Sequence, residues 1–192
     1  MTSRSEYRLL PRQDNADLRL TRRGYDIGLV GPERLGAVEE KYATVDAEIK
    51  RLTHAGVSPS PALSAFLAER GTGDAGDGCS LIALLRRPQV HYGELAPFDP
   101  GRPALPPDVR EQVEISVKYE GYIRRQQKQV EDFRKMESHK LPPDLDYSAI
   151  QGLRLEAREK LNAVRPLDLG QASRISGVSP ADMAVLMIYL ER

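Results

Sequence analysis

The chain has 192 residues, with 28 Lys and Arg against 28 Asp and Glu, a single cysteine and no tryptophan. A neutral total argues against a surface uniformly coated for nucleic acid, although local basic surfaces can coexist with it. A lone Cys79 excludes an internal disulfide and a multi-cysteine zinc site within one chain. No apolar run reaches signal-peptide or membrane-spanning length, and the wealth of Leu, Ala, Glu and Arg favours an all-α chain, expected to be cytoplasmic and free of membrane.

The leading segment carries six arginines, Arg4, Arg8, Arg12, Arg19, Arg22 and Arg23, against three carboxylates, Glu6, Asp14 and Asp17. Pro11 interrupts any helix through its middle. Asp14 or Asn15 is predicted to cap one short helix, and Thr21 a second that ends at Gly28. Composition alone reads as a solvated, salt-bridged surface; guanidinium forks matching phosphate oxygens are the functional alternative.

Gly31-Pro32 opens a long helix predicted over 32–54, with Glu33 at its positive end and Lys50 and Arg51 near its negative end. Leu35, Val38, Tyr42, Val45, Ile49 and Leu52 step by three and four, a seam that fits another helix, and the partner expected is the long helix from Asp108. Self-association along this seam is the alternative. After the Ser58-Pro-Ser-Pro61 break, a short helix over 61–69 buries Leu63, Phe66 and Leu67. The Gly71–Gly78 run reads as a flexible loop; it lacks the ending of a phosphate-binding loop and the ligand spacing of a calcium hand. Cys79 beside it has no nearby histidine or second cysteine, which reads as an inert thiol. A compact helix capped by Ser80 packs Leu81, Ile82, Leu84 and Leu85 and stops at Pro88. His54, His91 and His139 are scattered, with no carboxylate motif joining them, and residues 88–107 read as loop and rigid connector.

The longest element is predicted from Asp108 to about Glu137, about 45 Å of helix at 1.5 Å per residue. Ile115, Tyr119, Ile123, Val130 and Phe133 form its expected apolar seam, and Lys118, Arg124, Arg125 and Lys128 cluster as a basic surface. The alternation of Val113, Ile115, Val117 and Tyr119 with polar neighbours is a rival strand pattern; the Gln- and Lys-rich continuation favours helix despite Gly121. Beyond Lys140 the chain turns to short helices: Glu156–Val164 with Leu155 and Leu161 inward, then Leu169–Ile175, then a last helix started by Ser179-Pro180. Gln171–Ala181 has the look of a helix-turn-helix turn, but the following Met183–Leu190 offers nothing to base edges. Apolar nearly all round, that helix is expected to be buried, in the core or against another protein. The domain division expected is a helical body over 1–140 and a small helical module over 141–192.

Several stretches together resemble one family. Thr2–Leu10, Asp14–Thr21, Leu84–Pro88, Val117–Ile123 and Gly170–Ala181 are similar to the C-terminal helical region of the GidA family, also called MnmG, flavin subunits of the enzyme that installs carboxymethylaminomethyl groups on tRNA wobble uridines. The resemblance implies an all-α fold of two long antiparallel helices with shorter packing helices and a small C-terminal module. It implies FAD and NADH in the parent enzyme, none bound by this stretch alone, since the chain is expected to hold no Gly-x-Gly-x-x-Gly, no strand and helix alternation and no counterpart of the family's catalytic cysteines; it reads as a fragment or a split-gene product. Implied partners are tRNA, the GTPase MnmE, the flavin half of the same enzyme and a second copy in a homodimer of the parent. The residues carried over for tRNA are Arg8, Arg12, Arg22, Arg23, Lys118, Tyr119, Tyr122, Arg124, Arg125, Lys128 and Arg174; for the GTPase, Met183, Met187 and Leu190. Three departures stand out: Pro11 where a leucine is usual, Arg154 at a helix-capping Ser position, and a longer Gly71–Gly78 loop. Loss of the cap is expected to cost about 1 kcal/mol unless an Asp or backbone group substitutes. The rival reading is an autonomous structural or dimerisation module; an enzyme in its own right has no supporting constellation.

Overall fold

The computed structural model describes residues 7–190. Arg4 and Glu6 of the leading segment, and the last two residues of the chain, which the sequence expectation placed in the final helix, lie outside the described residues. The chain divides into two compact units within one long helix, the first ending at Arg124 and the second beginning at Arg125. The boundary expected near residue 140 falls just past the C-terminal end of that helix.

The first unit contains α1 (Ala16–Asp26), α2 (Pro32–His54), α3 (Pro61–Glu69), α4 (Leu81–Leu85) and the first part of α5 (Pro107–Ser138). The all-α expectation holds, with one small addition. Two-residue strands β1 (Gly56–Val57) and β2 (Cys79–Ser80) pair antiparallel and close the base of the Gly-rich loop. That loop does spell Gly-x-Gly-x-x-Gly at Gly71, Gly73 and Gly76, a correction to the expectation that the chain holds no such motif. It follows a helix and leads to a two-residue strand, whereas a dinucleotide fingerprint needs the strand first and a helix N-terminus after it. Its carbonyls at Gly73 and Asp74 instead accept from the Arg87 guanidinium.

α1 runs unbroken through Thr21, which lies buried inside it and caps no second helix. Its end is fixed at Gly28, whose φ of +78° disfavours any residue with a Cβ. Pro32 opens α2 and Ser60 caps α3 by accepting from the Leu63 N–H. Leu35, Val45 and Leu52 of the α2 seam are buried, but so is Glu48, which no apolar period predicts. The closest backbone neighbours of α2 are α1 and α4, and α5 reaches the same core through Val109, Val113 and Val117. Those valines, at a spacing of four, decide helix over strand; the predicted seam at Ile115, Tyr119 and Ile123 is not the buried face. The connector predicted after Pro88 contains a 3-10 turn over Tyr92–Phe98, with Tyr92 and Leu95 in the core.

A charged cluster sits within this unit. Glu48, 3 % exposed, accepts two hydrogen bonds from Arg51 at 2.8 Å and one from the Tyr92 hydroxyl at 2.8 Å. Arg51 also pairs with buried Asp99 at 2.5 Å. Burial first, and the bond to Glu48 second, push the Tyr92 phenol up to about 12.

The second unit holds the end of α5, α6 (Leu155–Val164), α7 (Leu169–Ser173) and α8 (Pro180–Leu190). Its core joins Leu141, Tyr147, Ile150, Leu161, Leu169, Met183 and Leu186. Leu155 is 73 % exposed, a correction to its predicted inward position; Ala157 and Leu161 take the inner face. Arg154 is the N-cap of α6 and its own side chain caps nothing. Asp182, 1 % exposed, substitutes: it accepts from the Arg154 N–H at 3.2 Å, from its guanidinium at 2.7 Å and from the Ser179 hydroxyl at 2.6 Å. The Arg154 guanidinium, helped by Ser179 and opposed by burial, holds the Asp182 carboxyl well below the usual carboxylate range. α8 is not buried all round: Met183 and Leu186 face the core, while Met187, Ile188 and Tyr189 remain exposed.

Candidate nucleic-acid interface

In the first unit the leading basic segment and α5 meet. The Arg12 guanidinium makes a bidentate pair with Asp14, both bonds 2.9 Å, and donates to the Leu9 carbonyl at 2.8 Å. It also lies 5.7 Å from the ring centroid of Tyr119 on α5. Asp14, held below the usual carboxylate range first by Arg12, accepts weakly from Gln112 of α5 at 3.5 Å. Arg19, braced by Asn15 and the Arg12 carbonyl, extends the same corner. Tyr119, 41 % exposed and in contact with Arg12, stands 6.4 Å from exposed Tyr122, centroid to centroid.

A second group lies farther along α5. Lys118 donates to Glu114 at 2.8 Å and to the Pro88 carbonyl at 3.2 Å. Glu120 is shared by Arg86 at 2.8 Å and Arg124 at 2.7 Å. Arg86 is chiefly responsible for holding the Glu120 carboxyl low. Burial raises Glu114, but hydrogen bonds from Lys118, the Tyr92 N–H and His91 outweigh it and leave it lowered. Arg86, Lys118, Glu120, Gly121 and Arg124 line a shallow cleft of about 380 Å³. The exposed pairs of Glu120 with Arg86 and Arg124 contribute little stability, so those two cations can be shared with an incoming phosphate at small cost, whereas the Lys118–Glu114 pair is part-buried. Arg86 was missed as a site residue, although the Leu84–Pro88 stretch that holds it is among those that carry the family likeness.

The remaining predicted cations are dispersed. Arg22 pairs with Glu39 at 3.2 Å and Asp26 at 3.5 Å, and Arg23 is exposed on α1. Arg8 is exposed on the leading segment. Arg125 and Lys128 belong to the second unit and are exposed there, as is Arg174, which pairs with Glu137 and stacks 4.5 Å from the Phe133 centroid. In that unit Met136, Val178, Pro180, Met183, Ala184 and Met187 are among the residues lining an apolar cleft of about 340 Å³. Met183 forms its inner wall, Met187 is exposed, and Leu190 packs on the core away from the cleft.

Among the described residues no group of three or more His, Cys, Asp or Glu is placed to hold a metal, and no helix is long and apolar enough to cross a membrane. Cys79 is half-buried and its thiol is pushed up by that burial, with Arg87 opposing.

Comparison with known proteins is consistent along the whole chain. Residues 32–127 match a family model described as the tRNA modifying enzyme MnmG/GidA C-terminal helical domain, and residues 129–192 one described as its C-terminal helical bundle. The junction of the two falls in α5, as does that of the two compact units. The tRNA uridine 5-carboxymethylaminomethyl modification enzyme MnmG of Caldicellulosiruptor saccharolyticus is 51 % identical over 192 residues, and that of Bacillus subtilis 50 %. This chain is covered completely in both, and spans 31 % of the length of each relative. The solved structure of Aquifex aeolicus GidA in its form II crystal is similar at 38 % identity and a TM-score of 0.61, over 100 % of this chain and 29 % of that one.

Proposed function

Because the chain belongs to the C-terminal helical region of the MnmG/GidA family, we propose that it grips tRNA for 5-carboxymethylaminomethyl modification of the wobble uridine. The observation that carries this reading is the match over the whole chain to enzymes named for that reaction. The geometry supports it. Arg12 in contact with Tyr119, which stands near Tyr122, offers a cation with aromatic side chains, a combination suited to phosphate and unstacked base, and Arg86, Lys118 and Arg124 offer a second set of phosphate ligands.

The redox chemistry belongs to the flavin half of the same enzyme, with FAD and NADH as its cofactors. The Gly71–Gly76 loop does not fit either dinucleotide, because its glycines frame a helix-to-strand link and its carbonyls face Arg87. The cleft along α8, with Met187 at its mouth, is the candidate seat of the GTPase MnmE, and the homodimer and cytoplasmic setting follow the parent enzyme.

The test is a tRNA titration of the chain at about 50 and 200 mM salt. Affinity should fall with log salt at a slope set by the number of phosphate contacts. No binding at the lower salt, or binding indifferent to salt, rejects the tRNA reading. For the GTPase, Met187→Asp is the informative change, since removing all of α8 would also take Asp182, Met183 and Leu186 from the core.

A further inference from the structure

One stripe of α5 stays out of the core. Asp108, Gln112, Ile115, Tyr119 and Tyr122 succeed one another by four and three, so they share one side of the helix. That side meets the leading segment, through Arg12 on Tyr119 and Asp14 on Gln112. A cavity of about 480 Å³ opens there, walled by Asp14, by Lys41 of α2 and by Asp108, Glu111, Gln112 and Ile115 of α5. Its size falls in the range of roughly 300–1,000 Å³ usual for ligand clefts. Gln112 is 5 % exposed, yet its hydrogen bonds are poorly made. Its Nε2 donates only at 3.5 Å to Asp14 and 3.4 Å to Ser116, and its side-chain oxygen accepts from none of the described residues. A buried amide is ordinarily fully bonded, so this one is left for something else to complete.

The walls select the group that completes it. Asp14, Asp108 and Glu111 set three carboxylates against the single ammonium of Lys41, which already serves Asp17 at 3.0 Å and Asp108 at 3.7 Å. Glu111 has no partner among the described residues. A phosphate, which only accepts, is repelled by such walls, so the occupant must bring N–H donors. An amide beside a carboxylate matches one nucleobase edge. Guanine offers O6 to the amide N–H, N1–H to the amide oxygen and its N2 amine to the carboxylate. Uracil can pair with the amide in the same way but turns a carbonyl oxygen toward the carboxylate, and adenine and cytosine carry no N–H at the central ring position. We infer that this cavity seats an unstacked guanine of the bound tRNA, with Gln112 meeting O6 and N1–H, Glu111 accepting from the N2 amine and Ile115 against the ring. Single-stranded RNA is read in this manner, through splayed bases whose Watson–Crick edges meet side chains. Tyr119 and Arg12, a turn farther along the same stripe, are placed for the adjoining nucleotide. The inference rests on the tRNA reading and adds a base preference to it.

Three fluorescent strands test it, each an oligouridylate of about 12 nucleotides: one unaltered, one with a central guanosine and one with a central inosine, which lacks only the N2 amine. Anisotropy is read with the 192-residue chain at about 50 mM salt. The guanosine strand should bind roughly ten-fold tighter than either of the others. Glu111→Ala, an exposed change, should erase the gap between guanosine and inosine. Gln112→Met, close in volume, should bring the guanosine strand down to the level of uridine. Equal affinity for the three strands overturns the inference, and so does a guanosine preference that survives Glu111→Ala. A tRNA titration of the same proteins keeps the two readings apart. Salt-dependent tRNA binding without a guanosine preference defeats this inference alone, whereas absence of tRNA binding defeats both.

Discussion

The candidate surfaces on the two units are of opposite kinds. In the first, cations are held in place by carboxylates: Arg12 by Asp14, Lys118 by Glu114, Arg86 and Arg124 by Glu120. In the second, the cleft along α8 is lined mainly by methionine, valine, proline and alanine, and the buried carboxylate of Asp182 is spent inside on Arg154 and Ser179. A cationic surface acts at range, weakens with salt and tolerates the loss of one member; an apolar cleft acts only in contact, ignores salt and is defeated by a single misplaced charge. The difference teaches which experiment addresses which partner.

The largest effect expected is on the cationic side. Replacing Arg86, Lys118 and Arg124 together by Gln should weaken tRNA binding roughly 100-fold at low salt and make the log–log salt slope shallower by about two to three. Filter binding across a salt series checks it; an unchanged slope would move the phosphate contacts elsewhere. Next is the charged centre of the second unit. Asp182→Asn removes the acceptor of Arg154 and Ser179 and should cost about 2–3 kcal/mol, read from urea denaturation. Because the folded carboxyl is held below its unfolded value of about 4, this stabilisation is present above that pH and lost as pH falls through the depressed value. The Asn variant should therefore show a flatter acid limb.

The first unit should respond at the alkaline end. Tyr92→Phe deletes the hydroxyl given to buried Glu48 and should cost about 1 kcal/mol. With the phenol pushed up to about 12 from an unfolded value near 10, its contribution is complete below about pH 10 and disappears as pH rises through the folded value. Smallest of all, Met187→Asp and Leu155→Ser should each change stability by no more than about 0.5 kcal/mol, as both side chains already meet water. Met187→Asp alone should abolish co-purification of the GTPase; retained capture would remove the α8 cleft from the partner surface.

Much of the architecture was legible before any coordinates. Pro32 and Pro61 mark helix starts, and the absence of proline from 108 to 137 leaves α5 whole, whereas Ser80, the expected cap of α4, makes no side-chain cap bond. The proline effects are local, fixed by φ restriction and missing N–H groups. The candidate site was legible in part: the arginine-rich leading segment and the basic stretch of α5 were both visible, but that Arg12 and Tyr119 meet was not, since over a hundred positions separate them. Arg86 escaped because a lone Arg-Arg pair before a proline carries no period.

What tertiary structure alone decided is where polarity goes against pattern. Glu48 occupies a core position because Arg51, one turn on in α2, is joined by Tyr92 and, through Arg51, by Asp99 from other parts of the chain. Leu155 is left in water while Ala157 faces inward, and Asp182 stands in for the missing cap at Arg154. Leu18 and Leu20 are left half in water on the two flanks of α1. Sequence determines helices because their hydrogen bonds lie within four residues; which face of each is buried depends on partners brought together only when the chain has folded.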